Sequence, residues 1–308
     1  MDSTHLTRRR LLAGLGVLGT AALAGCTREA AQAPPRPAPG STALEMVAPR
    51  AAAAPAFAVL QGQSELLVGP GQRVAFGLVT MSNEPIPDTE VEVRYVAENR
   101  QVGGVARPTF HPGVAEFPVY LATIDVPAPG VGFLVATTPD GNRGGEVAIL
   151  AVDQSNSATV PPGQPAISTR TPTTADPLGV PLICTRRIGG EYASCGMHAS
   201  SLDQSLATGR PVMLSFATPQ FCASAMCGPA VEVIETVRTS RDWGDLDWIH
   251  VEIFRDPVSN TLIEAVKDWN LPSEPWLFAI DRTGTVVQRL EGPIVAEELP
   301  ALAERITG

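Results

Sequence analysis

Five cysteines and four histidines are the residues of this 308-residue chain best suited to chemistry, and four of the cysteines, Cys184, Cys195, Cys222 and Cys227, fall in its C-terminal part. A thiolate, not a thiol, is the nucleophile and the metal ligand, so position decides what a cysteine can do. Cys227 is followed by Gly228-Pro229. A proline is tolerated in the first helical turn, which predicts that Cys227 opens a helix whose dipole and free N–H groups favour a thiolate. Cys222, five positions earlier, is close enough to be the second member of a redox dithiol, with the attacking and resolving roles open between the two. The same pair could instead be a permanent staple in an oxidising compartment. Cys184 and Cys195 flank a loop containing Ile188-Gly189-Gly190, and a structural disulfide is expected there, contributing about 3 kcal/mol by loop entropy. Swapped pairings, Cys195 with Cys222 among them, stay open. His198 and His250 could join a cysteine pair on a soft metal such as copper. No resident metal or cofactor is expected, and His111, alone between Phe110 and Pro112, is expected at the surface.

The elements that would position these residues follow from hydrophobic periodicity. Residues 211–217 form an apolar run expected to be a buried strand, and Val231, Ile234 and Val237 mark one face of the helix after Cys227. A strand at 248–254, a helix at 262–269, strands at 276–281 and 285–290 around Thr283-Gly284, and a helix at 296–306 complete the order β-α-β-α-β-β-α.

In this arrangement residues 179–308 resemble the thioredoxin-like superfamily. The resemblance is carried by Leu214-Ser215-Phe216-Ala217 leading to Cys222 and Cys227-Gly228-Pro229-Ala230, and by Glu274-Pro275 before an apolar strand. It implies that Pro275 is a cis-proline lying beside the redox cysteine and holding an extended substrate. The chain departs from the pattern at Ala230, which stands where a resolving cysteine is usual. Ser215 occupies the place of a buried acid, and Glu274 precedes the proline where an apolar residue is common. A carboxylate beside the thiol would destabilise a thiolate. Cys222 and Cys227 with a distant histidine also resemble the copper site of Sco-type chaperones, which have three residues between the cysteines.

Residues 56–153 differ in texture. Strand candidates at 65–68, 73–80, 90–97, 119–126, 132–138 and 146–152 are separated by Gly, Pro and Asn turns, the pattern of an all-β immunoglobulin-like sandwich without a disulfide. Residues 154–178, rich in Ser, Thr, Pro and Gly, are expected to be a linker that adds nothing to a core. The expected fold is therefore two domains, an immunoglobulin-like sandwich followed by an α/β thioredoxin-like fold.

The N-terminus carries Arg8-Arg9-Arg10 and an apolar run from Leu11 to Ala24, too short to span a bilayer. Thr7-Arg8-Arg9-Arg10-Leu11-Leu12 resembles a twin-arginine export motif, and Leu23-Ala24-Gly25-Cys26 resembles a lipobox. These imply removal of residues 1–25, acylation of Cys26 and attachment to the extracytoplasmic face of the cell membrane. Residues 26–55, with Pro34, Pro35, Pro37 and Pro39, are expected to be a disordered tether. A net charge of −10 with a single lysine, Lys267, excludes a basic nucleic-acid surface. The function expected is thiol-disulfide exchange on exported proteins. The alternatives are a non-enzymatic surface lipoprotein with a stapled scaffold, and Sco-like copper delivery.

Overall fold

The structure, a computed structural model, describes residues 42–308 except 54, 115–116, 223 and 225. The expected signal peptide, Cys26 and the first half of the expected tether lie outside the described residues, and no described helix is long and apolar enough to cross a membrane. The protein is mostly β, with several sheets and few helices.

Two short helices come first, α1 (Thr42–Val47) and α2 (Pro49–Ala53). They overlap the segment expected as tether but pack onto a sheet, burying Leu44 and Ala51 beside Val96 and Val135. The free Leu44 N–H at the start of α1 donates to the Glu146 carboxylate at 2.6 Å. A helix start with an orphan donor thus meets a buried acceptor 102 residues away.

Eight strands follow: β1 (Ala58–Gln61), β2 (Glu65–Leu67), β3 (Gly69–Val79), β4 (Glu92–Val96), β5 (Thr109–Val114), β6 (Phe117–Val126), β7 (Gly130–Thr137) and β8 (Gly144–Val152). They form two four-stranded sheets, β1-β3-β6-β5 and β2-β8-β7-β4. Alternation along the strands turns Val74, Phe76, Leu78, Tyr120 and Ile124 of one sheet toward Val93, Tyr95, Leu134 and Ile149 of the other, and these share one core. The alternate residues Ala75 and Val119 point outward and are covered by Val295 from the C-terminal half.

The C-terminal half contains a small hairpin, β9 (Arg187–Ile188) with β10 (Glu191–Tyr192), then α3 (Leu202–Ala207), β11 (Val212–Phe216), α4 (Cys227–Ser240) and β12 (Asp247–Val251). A second small hairpin, β13 (Phe254–Asp256) with β14 (Thr261–Leu262), precedes α5 (Glu264–Asp268), β15 (Trp276–Ile280), β16 (Val286–Glu291) and α6 (Leu299–Thr307). The central sheet has the order β12-β11-β15-β16, with β12 parallel to β11 and the other neighbours antiparallel. Both of its faces are covered. Met213, Leu277 and Ala279 pack on Ile234 of α4 and Ala303 of α6, while Leu214, Phe216 and Phe278 pack on Leu202, Val266 and Trp269. A sheet buried on both faces needs continuous apolar strands, which is what 212–216 and 276–280 supply.

The segment expected as a linker contributes to this half. Val160 enters its core and Thr159 Oγ1 donates to Trp269 O at 2.6 Å. Gly163 N donates to Val286 O, and Val286 N donates to Gln164 O, so the segment occupies the outer side of edge strand β16. An edge strand left open would offer unpaired backbone to other chains.

The described residues belong to one compact unit, and ionic contacts join the sandwich to the C-terminal half. Arg289 on β16 donates to Glu65 on β2 at 2.8 Å, with both side chains less than a tenth exposed. Arg73 on β3 holds Glu298 and the Pro293 carbonyl. His111, expected in an exposed loop, lies on β5 with Nδ1 3.5 Å from Glu297 and its side chain 14% exposed.

Candidate active site

Cys227 is the first residue of α4, fully buried, with the loop after β11 delivering Cys222 to the same place. That loop begins as a turn in which Cys222 N donates to Thr218 O at 3.1 Å. Cys222 is only partly buried, and both thiols are free. Their sulfurs and a carboxylate oxygen of Glu274 all lie within 4.8 Å of one another. The Glu274–Pro275 peptide is cis and opens β15, the strand that neighbours β11.

The surroundings of the two thiols separate their acidities. The Cys222 thiol is pulled down to about 5, first by the hydrogen bond from Cys227 and then, against the opposing effect of burial, by Ser224, whose Oγ lies 3.2 Å from its sulfur. The Cys227 thiol is pushed far up by burial and by the negative charges of Cys222 and Glu274. At neutral pH the pair therefore holds one thiolate on the more accessible sulfur and one proton on the buried sulfur. A partly exposed, ionised thiol is the better nucleophile of the two, and a buried protonated neighbour the poorer one.

Glu274 gives the buried thiol a proton acceptor. Its Oε2 accepts from Cys227 Sγ at 3.2 Å and from Thr218 N at 2.8 Å, and burial, with the charge of Cys222, raises its pKa to about 7. The sequence placed this carboxylate as an obstacle to a thiolate. The structure sets it against the buried Cys227 sulfur, where a base with a pKa near neutral can take up the thiol's proton. Ser215, at the place of a usual buried acid, donates to Ile249 O and takes no part. Replacing Glu274 by Gln should slow the resolution step by about 10²-fold or more and remove an inflection near pH 7 from its rate profile, read by stopped-flow at several pH values. The stability sign is definite. A carboxyl whose pKa rises from 4.5 to about 7 on folding favours the native state below pH 4.5 and loses that contribution as pH passes 7. Glu274→Gln should therefore gain stability relative to wild type on going from pH 5 to pH 8.

Two clefts meet at Ser224. One of about 390 Å³ is bordered by Ile253, Leu262, Val266, Leu271 and Glu274. The other, about 320 Å³, is bordered by Met226 and Pro293 on one side and by Leu60, Phe76, Leu78 and Pro118 of the sandwich on the other. The sandwich thus supplies one wall beside the loop that carries Cys222.

Cys184 and Cys195 do not form the expected disulfide in this structure. Their sulfurs are 3.7 Å apart, against about 2.0 Å for a bonded pair. They sit at the two ends of the β9–β10 hairpin, which brings them together, and the imidazoles of His198 and His250 lie against the Cys195 sulfur. Both histidines, the candidates for a copper site with Cys222 and Cys227, are therefore grouped with the other cysteine pair. Among the described residues two sets could hold a metal: Cys184, Cys195, His198 and His250, and, separately, Cys222, Cys227 and Glu274. The first set was not legible as a set, although Cys195 and His198 are three positions apart. The second lacked only the assignment of Glu274.

No family model matches the chain, and no curated protein matches it in sequence. Among solved structures, a thiol:disulfide interchange protein of the thioredoxin family from Chlorobium tepidum TLS is similar over 48% of this chain and 97% of its own. The identity is 16% and the TM-score 0.32. A DUF4785 family protein from Legionella pneumophila subsp. pneumophila str. Philadelphia 1 is similar over 30% of this chain and 27% of its own length, at 16% identity and a TM-score of 0.20. A thioredoxin-family structural neighbour thus covers part of the chain, weakly.

Proposed function

We propose that the protein carries out thiol-disulfide exchange through Cys222 and Cys227, on a thioredoxin-like fold preceded by an immunoglobulin-like sandwich. The observation that carries this is the geometry of the pair: a partly exposed thiol and a buried thiol at the start of α4 meet a carboxylate that precedes a cis-proline. The Cys222 thiolate attacks one sulfur of a substrate disulfide, forming a Cys222–substrate mixed disulfide and releasing the other substrate sulfur as a thiolate. Cys227 passes its proton to Glu274 and attacks Cys222 sulfur. The Cys222–Cys227 bond forms, the mixed disulfide breaks, and the second substrate thiolate leaves. The substrate disulfide has gained two electrons and the enzyme dithiol has lost them; the reverse sequence oxidises a substrate dithiol.

The resemblances at Arg8-Arg9 and at Leu23-Ala24-Gly25-Cys26 support placing this activity on an exported, lipid-anchored protein, with exported protein thiols as partners. Pro275 and the clefts on either side of Ser224 are proposed to receive an extended substrate segment.

The test is the reduction potential of the Cys222–Cys227 pair in the full chain. A thiolate stabilised in the reduced form makes the disulfide easier to reduce, so a value above about −270 mV is expected. A value below about −300 mV would identify the pair as a permanent staple and the protein as a scaffold.

A further inference from the structure

Four potential ligands outside the dithiol converge where the proposed exchange reaction has no use for them. Cys184, Cys195, His198 and His250 are each no more than 3% exposed. Cys195 Sγ lies 3.2 Å from His198 Nε2 and 3.3 Å from His250 Nδ1, Cys184 Sγ lies 3.9 Å from His250 Nδ1, and the sulfurs are 3.7 Å apart. We propose that these four residues form a closed tetrahedral zinc site that fixes the β9–β10 hairpin to β12.

The edge lengths support that cation. Zinc bonds to sulfur at about 2.3 Å and to imidazole nitrogen at about 2.0–2.1 Å, so a tetrahedron has a sulfur–sulfur edge of about 3.8 Å and sulfur–nitrogen edges of about 3.6 Å. Each observed edge is within about 0.4 Å of these values. Two thiolates and two neutral imidazoles neutralise a divalent cation, which suits a site without solvent. With four protein ligands and no exposed face, no position remains for water, the mark of a structural rather than a catalytic zinc.

The shell outside the ligands is also organised. His250 Nε2 is 2.9 Å from Ala217 O. Donation to that carbonyl places the proton on Nε2 and leaves the Nδ1 lone pair facing the sulfurs. The His250 backbone N–H donates to Met197 O, and Gly196 N donates to Glu235 on α4, so the Cys195–His198 turn is held from two sides. His198 is buried and presents Nε2 to Cys195 Sγ, so Nε2 is the nitrogen that would coordinate, with the proton on Nδ1. Residue Thr185, next to Cys184, accepts from Gln220 N in the loop that carries Cys222. The site therefore also braces the redox loop.

The experiment uses the full chain in a Cys26→Ser/Cys222→Ser/Cys227→Ser background, which removes the other thiols. The protein is purified without chelator, its metal content measured, and the metal-free form titrated with Zn(II) against a chromophoric chelator, with Co(II) and with Cu(I). One equivalent of zinc is expected, with Co(II) giving intense visible bands and sulfur-to-metal charge transfer typical of tetrahedral two-sulfur, two-nitrogen coordination. Adding Cys195→Ser or His198→Ala should weaken zinc binding at least about 10-fold and reduce or shift those bands. Failure to retain zinc, retention of Cu(I) in preference to zinc, or a Cys184–Cys195 disulfide in protein isolated without reductant would each overturn the assignment. None of these results depends on whether Cys222 and Cys227 exchange disulfides.

Discussion

Replacing Cys222 by Ser should abolish disulfide exchange, a loss of at least about 10³-fold, while leaving the protein folded. Cys222 is partly exposed in a loop at the margin of the core, and serine is close to it in size, so little packing is lost. The hydroxyl that replaces the thiol cannot ionise near neutral pH and cannot form a mixed disulfide. Cys227→Ser should behave differently. The attacking thiolate is still present, so one substrate molecule per protein is captured as a stable Cys222 mixed disulfide, and turnover stops there. Gel mobility and mass spectrometry under non-reducing conditions distinguish the two variants. If Cys227→Ser captured no substrate while Cys222→Ser accumulated a mixed disulfide through Cys227, the roles would be reversed.

Replacing Arg289 by Ala should destabilise the protein by about 3–5 kcal/mol, because it strands a buried charge. Glu65 and Arg289 meet at 2.8 Å with side chains 5% and 8% exposed, between the sandwich and the C-terminal sheet. Ser157 Oγ and Ala158 N remain as donors to Glu65 after the substitution, but they carry no positive charge. The double variant Glu65→Leu/Arg289→Met should recover most of the loss, since an apolar pair of similar size removes the desolvation penalty along with the attraction. Urea unfolding followed by two probes, one in each half, measures both effects. Coincident transitions are expected, because the contact surface is part of a single compact unit.

Much of the strand and helix order of the C-terminal half was legible, because an apolar run such as 212–216 and a face such as Val231, Ile234 and Val237 are local signals. The segments that failed are those whose structure is imposed from a distance. Residues 42–53 belong to the segment whose composition reads as a tether, yet Glu146 and Val135 give them an acceptor and an apolar surface to fold on. Residues 154–178 look like linker, yet Val160 fills a core and Gly163-Gln164 pair with Val286. The same holds for the site. The Cys222, Cys227 and Pro275 positions could be read from spacing and resemblance. The cluster of Cys195 with His250, 55 positions away, required a hairpin and a strand to be folded against each other. Glu274 was visible but misjudged, since sequence adjacency to Pro275 does not say which of two sulfurs its carboxylate meets.

The account stands or falls on Cys222 being an accessible thiolate. Alkylation of the reduced full chain by iodoacetamide, followed residue by residue by mass spectrometry between about pH 4 and pH 10, measures this directly. Cys222 is predicted to react first, with a midpoint near pH 5, while Cys227 stays unmodified over the same range. A midpoint above about pH 8, as for an ordinary thiol, or faster labelling of Cys227, would contradict it.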